Sequence, residues 1–140
     1  MSQSVLAIDY GEKRIGVARA SMIARLPEPL VTLDNNEQLL TELQKLIDSE
    51  DVSTVVVGLP RSLEGVDTDQ TKKTREFIEQ IHELGVEVVE QDEAVTSERA
   101  ISELHQQKKD FDKSDVDQLA AVYILEDYLI ERKEEEEHGY

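Results

Sequence analysis

The stretch "VLAIDYGEKRIGVARA", residues Val5–Ala20, decides how the rest of the chain is read. Val5–Ile8 is a continuous apolar run, the pattern of a strand covered on both faces, and it finishes on a carboxylate, Asp9. Gly11, Glu12 and Lys13 make a turn, and Arg14–Ala20 reads as the return strand of a hairpin. An acid where a buried strand ends has two uses. It shapes the turn, or it is the first part of a metal site that other acids complete later in the chain.

Beyond the hairpin, Leu30–Leu33 follows the link "RLPEP" as a third strand. Leu39, Leu40, Leu43, Leu46 and Ile47 then repeat at helical spacing, with Asp34 or Asn35 available as the cap. "VSTVVVGLP" (Val52–Pro60) is a buried β-branched strand stopped by Gly58 and Pro60. A helix beginning near Asp69 carries Phe77, Ile78, Ile81 and Leu84 on one face and ends at Gly85. Val86–Glu93 is the fifth strand. Thr96 caps a helix through Ala100, Ile101 and Leu104, and a last helix runs from about Asp115 to Arg132 with Ser114 as its cap. Three strands followed by alternating helices and strands predict an α/β fold, a mixed five-stranded sheet flanked by helices.

The 140 residues suit one domain with a real core. We divide them into a domain at 1–132 and an acidic, disordered tail at 133–140. There is no cysteine, which excludes disulfides and thiolate metal sites. No run approaches the length of a membrane span, and the N-terminus lacks the pattern of a signal peptide. The expectation is a soluble cytoplasmic protein with no membrane partner. The formal charge of −17 repels nucleic acid over most of the surface, so any such partner needs a local basic patch.

Asp9 has company. Asp92 and Glu93 close the fifth strand, and Asp117 shares a helix face with Ala120, Ala121 and Ile124. That face packs on the sheet, where an acid is costly unless it is paired, protonated or bound to a cation. Convergent carboxylates suit Mg²⁺ or Mn²⁺, which prefer oxygen ligands, and a pair of such ions activates water against a phosphodiester. The histidines His82, His105 and His138 are scattered, which argues against a zinc site. Each acid also has an ordinary use, in a turn, in a loop, or as the partner of a Ser114 cap. Lys13, Arg14, Arg61, Lys72, Lys73 and Arg75 are candidates to meet phosphates at one sheet edge; alternatively Lys72, Lys73 and Arg75 are ordinary solvated helix residues.

Four segments in order, "AIDYGEKRIGVA", "VVVGLPRSLEG", "DEAVTSERA" and "VDQLAAVYIL", span Ala7 to Leu125. In these the chain resembles the YqgF family, also called RuvX, the Holliday-junction-resolvase-like and pre-16S rRNA nucleases. The resemblance implies a ribonuclease H-like fold and a carboxylate-bound divalent metal. It makes Asp9, Glu93 and Asp117 catalytic and metal-binding, with Asp92 beside them as a further ligand, and Glu93 favoured over Asp92. It places Arg14, Gly58, Pro60 and Gly65 in nucleic-acid-facing loops. Two positions depart from the family pattern: Ala94 stands where an arginine is expected, and Gln118 where a serine is common.

The function expected is therefore a metal-dependent endonuclease that processes the 5′ end of pre-16S rRNA. Its partners would be pre-rRNA or branched DNA, with ribosomal particles, and the chain a monomer or homodimer. The alternatives are resolution of four-way DNA junctions and a noncatalytic ribosome-assembly or RNA-binding role, the latter favoured by Ala94 and the charge. "DYGEKRIGVA" is also similar to the first phosphate loop of actin-like ATPases and sugar kinases, but those folds need two such domains, and this chain is too short for them unless it works as a partial homodimer.

Overall fold

The hairpin forms where the apolar runs place it. In the computed structural model, which describes residues 3–60, 66–93, 96–107 and 112–137, β1 (Ser4–Tyr10) pairs antiparallel with β2 (Arg14–Ser21), and β2 with β3 (Glu28–Asp34). After α1 (Leu39–Ser49), β4 (Val52–Pro60) lies parallel to β1. After α2 (Asp69–His82), β5 (Glu87–Glu93) lies parallel to β4. The sheet order is β3-β2-β1-β4-β5. Helices α3 (Thr96–Gln107) and α4 (Lys113–Glu137) complete the chain. Because β1, β4 and β5 are parallel, their carboxyl ends share one edge of the sheet.

Strand alternation divides the core in two. Leu6 and Ile8 of β1, with Ile15, Val17, Val55, Val57 and Leu59, pack against α1 and α2 through Leu43, Ile47, Phe77 and Ile81. Val5 and Ala7, with Ala18, Ala20 and Val56, pack against Ala121, Ile124, Leu125 and Tyr128 of α4. Each large aliphatic side chain removed from water contributes roughly 1.5–3 kcal/mol. The second face is built of small residues, which lets a long helix lie close to the strands. Helix α3 packs on α4, where the Tyr123 hydroxyl donates to Glu103. Among the described residues no helix is long and apolar enough to cross a membrane.

The helix ends depart from the sequence reading. Neither Asp34 nor Asn35 caps α1, whose N-cap is Gln38 without a side-chain bond. Asp34 belongs to β3, and Asn35 is used to hold the β1–β2 turn: its Nδ2 donates to Gly11 O at 2.9 Å and its N–H to Lys13 O at 2.9 Å. Thr68 caps α2 in a reciprocal arrangement with Thr71. Past that helix Gly85 takes φ +83°, and its N–H bonds to His82 O at 3.1 Å. Ser114 lies inside α4 and does not cap it. The cap is Asp112, whose carboxylate accepts from Asp115 N–H at 3.0 Å while its own N–H donates to Asp115 at 3.2 Å. On α3 Ile101 is 40% exposed, whereas Leu104 is buried as expected.

The tail boundary also moves. Helix α4 continues to Glu137, past the expected limit at 132, because its last turns are anchored. Glu136 accepts from both terminal nitrogens of Arg25, each at 3.1 Å, and lies 3.7 Å from Arg132 one turn earlier.

Candidate active site

Asp9 follows Val5 and Ala7 on the α4 face of β1, and it pairs across the hairpin with Gly16. Its surroundings oppose ionisation. Burial pushes the Asp9 carboxyl up to about 6, and the negative charge of Asp117 adds to the shift. These two acids, 108 positions apart by residue number, have therefore been brought within electrostatic reach.

Asp117 arrives on α4, on the side that carries the buried residues Ala120, Ala121 and Ile124. Gly16 decides how near it comes. A Cβ at that position would fall on the Asp117 backbone carbonyl, so only glycine lets the helix rest there. Arg14 leaves the same face of β2 two residues earlier, and its Nε donates to Asp117 Oδ2 at 2.8 Å.

Alternation on β5 separates the two neighbouring acids. Val89 joins the α4-side core and Gln91 donates to Glu131 of α4 at 3.1 Å, so Glu93 continues that face. Val88 packs on the opposite core and Glu90 pairs with Arg75 of α2 at 3.6 Å, so Asp92 belongs to the far side and is exposed. The expectation that Asp92 joins the metal ligands is corrected by this geometry: adjacent residues of one strand cannot both face α4.

Glu93 pairs with Pro60, whereas Asp9 stands one residue past the Ile8–Val57 pair. Strand spacing then puts the Asp9 and Glu93 Cα atoms roughly 12 Å apart. Gly58 lies on the strand between them. Its absent side chain leaves room that Ile124 fills, and its Cβ position is 3.7 Å from Glu93 Cγ, so the glutamate side chain leans over it. Among the described residues no three Asp, Glu or His side chains are gathered tightly enough to hold a metal ion as they stand. The donor chemistry nonetheless fits a hard divalent cation: Asp9 and Asp117 crowd two like charges together, and Glu93 shares their face.

The described basic candidates divide between the hairpin and α2. Lys13 is exposed on the turn after Asp9 and Arg14 is in the cluster. Arg61, with Gly65 and Ala94, lies outside the described residues. Lys72, Lys73 and Arg75 belong to α2, on the far face of the sheet. Gln70 ties that helix to the end of β1, donating to Tyr10 O at 3.3 Å, so the start of α2 lies beside the same edge. Lys73 pairs there with Glu12 at 3.0 Å, and Arg75 with Asp67. Gln118, in place of the family serine, has a structural use: Nε2 donates to Thr32 Oγ1 at 3.1 Å and joins α4 to β3.

Sequence reasoning missed Gly16 and the Arg14–Asp117 pair. For Gly16 the available signal was its place on the return strand beside Asp9; the Arg14–Asp117 pair carries no local signal.

Residues 3–131 match the family described as "RuvX: Holliday junction resolvase". The chain belongs to the RuvX family. A protein of Sulfurihydrogenibium sp. (strain YO3AOP1) named "Putative pre-16S rRNA nuclease" is 36% identical over 128 residues, covering 89% of this chain and 88% of its own. A relative of the same name from Shewanella denitrificans is 37% identical over 134 residues, covering 92% and 95%. Among solved structures, that described as "T. thermophilus RuvC in complex with Holliday junction substrate" aligns with a TM-score of 0.55 at 13% identity, over 92% of this chain and 96% of that one. The last likeness is one of fold, and the fold is ribonuclease H-like. RuvX membership and the names of the relatives support a nuclease, a hydrolase of phosphodiester bonds.

Proposed function

We propose that this RuvX chain is a divalent-metal-dependent endonuclease that cleaves RNA in 5′-end processing of pre-16S rRNA. The reading places it in the cytoplasm with pre-rRNA and ribosomal particles as partners. One observation carries it: Asp9 and Asp117 are brought together at the carboxyl edge of the sheet, at the cost of a strongly raised Asp9 pKa. Such crowding is unfavourable on its own and is relieved by a cation.

Asp9, Asp117 and Glu93 would hold the metal, Mg²⁺ or Mn²⁺. When bound, the metal supplies an activated water and charge stabilisation of the leaving oxygen. Asp9 is held rigidly by its ladder position, and Asp117 by the contact of α4 with Gly16. Lys13, exposed on the adjoining turn, is placed to meet the phosphate backbone, while Lys72 is exposed on α2 and Lys73 beside it is paired with Glu12.

The test is cleavage of a single-stranded RNA spanning a pre-16S end, with Mg²⁺ or Mn²⁺, beside a four-way DNA junction. Cleavage of the RNA, lost in Asp9→Asn and Asp117→Asn, supports the proposal. Preferred cleavage of the junction would move the reading to a resolvase. The noncatalytic RNA-binding reading is favoured by the −17 charge and by Ala94; it predicts RNA binding without metal-dependent turnover.

A further inference from the structure

Arg14 touches a site acid directly. Its guanidinium Nε donates to Asp117 Oδ2 at 2.8 Å, and both side chains keep contact with solvent, 33% and 20% exposed. Asp9 pairs with Gly16 on the same face of β2, so the guanidinium, Asp117 and Asp9 form one cluster. Within it the one guanidinium is bound to Asp117, and Asp117 in turn repels Asp9. A divalent cation answers the same demand with twice the charge, and it competes for the Asp117 carboxylate whose Oδ2 Arg14 now engages. A partly exposed ion pair is a weak contact that a stronger ligand can replace.

We infer that Arg14 serves as an exchangeable counterion: it holds Asp117 in the metal-free protein and is displaced from it by the incoming divalent cation, which frees its guanidinium to bind a substrate phosphate beside the site. The inference rests on the metal-dependent reading above. Its second half follows from placement and chemistry. The β2 ladder fixes the Arg14 backbone two residues from Gly16, so a released side chain stays beside Asp9 and Asp117. A guanidinium fork also matches two phosphate oxygens at once, which an ammonium does not.

The test follows the Arg14 Nε–H resonance of ¹⁵N-labelled wild-type protein through a Mg²⁺ titration, with calorimetry of Mg²⁺ binding to wild type, Arg14→Gln and Arg14→Lys. Binding of a short RNA is measured alongside in Ca²⁺. We expect the Nε–H signal to be shifted downfield and slow to exchange without metal, and to lose both properties as Mg²⁺ saturates. Arg14→Gln should bind Mg²⁺ several-fold more tightly than wild type yet bind RNA several-fold more weakly. Arg14→Lys should recover less than half of the lost RNA affinity. An Nε–H signal unchanged at Mg²⁺ saturation overturns the inference, as does weaker Mg²⁺ binding by Arg14→Gln, which would make Arg14 a residue that positions Asp117 as a ligand. Absence of Mg²⁺ binding in wild type and variants alike would overturn the metal-dependent reading itself, and this inference with it. The wild-type titration decides the displacement even where a variant does not fold, and RNA affinity unchanged in folded Arg14→Gln overturns the phosphate contact.

Discussion

The backbone carbonyl of Asp117 rests on Gly16 so closely that no side-chain carbon fits between helix and strand. This contact joins the end of the first hairpin to α4 and fixes the spacing of Asp9 and Asp117 at the same time. Gly16→Ala should therefore damage stability and site together. Overpacking of this kind costs about 1–3 kcal/mol, read as a lower urea midpoint at pH 7, and divalent-cation binding should fall with it. An alanine variant with unchanged midpoint and metal affinity would show that α4 can shift without consequence.

Gly85 provides the contrast. It sits at φ +83° with open space around its Cα, so Gly85→Ala meets backbone strain and no neighbour. The expected cost is about 1 kcal/mol, seen in thermal or urea unfolding, with cleavage activity per folded molecule unaltered.

Asp9 makes the metal-free protein pH-sensitive. Its folded-state pKa, about 6, lies above the ordinary 3.8, so the folded protein holds that proton more tightly than the unfolded chain. Stability contributed by protonated Asp9 is present below pH 4 and is lost as pH rises to 6 and beyond. At neutral pH the ionised acid costs at most about 3 kcal/mol. Asp9→Asn should thus raise the unfolding midpoint at pH 7–8 in chelator, and the gain should vanish near pH 4. Saturating Mg²⁺ should reverse the order, stabilising wild type and leaving the variant unmoved. A variant no more stable than wild type at pH 7 would mean that Asp9 is not crowded in solution.

The two acids that end β5 give opposite expectations. Glu93→Gln removes a carboxylate from the α4 face and should lower metal-dependent cleavage at least a hundredfold, a loss on the scale of one catalytic group. Asp92→Asn changes an exposed acid on the α2 face and should leave cleavage within about twofold, since surface substitutions away from a site have small effects. Steady-state kinetics on one RNA substrate compares them. Equal losses would mean that β5 changes its register when substrate binds.

Much of this architecture is legible in the chain. The runs at Val5–Ile8 and Val52–Pro60 are apolar and β-branched enough to be strands covered on both sides, and they are the centre of the sheet. Asp9 and Asp117 stand out because each interrupts a pattern that ought to be apolar, whereas Glu93 ends a strand that already carries Glu87, Glu90, Gln91 and Asp92. Helix caps were harder to read, since Asp34, Asn35, Asp112 and Ser114 all have capping chemistry and the choice among them depends on which is already engaged. Asn35 is engaged by the β1–β2 turn, a tertiary contact with no local signal. The Arg14–Asp117 pair spans 103 positions and is invisible until the fold closes. Asp92 and Glu93 differ only in strand parity, which became decidable once Gln91 was seen to meet α4.

The parallel run of β1, β4 and β5 has a consequence for the connections that leave it. The ladders set the acids' relative heights through pairs such as Ile8–Val57 and Pro60–Glu93, all of them before the chain leaves the sheet. Whatever the chain does next, in the β1–β2 turn, between β4 and α2, or between β5 and α3, starts from that same rim and ends in another element. Those connections can lengthen, shorten or change charge while every ladder pair stays in step. A change in those connections would thus leave the relative heights of Asp9 and Glu93 untouched.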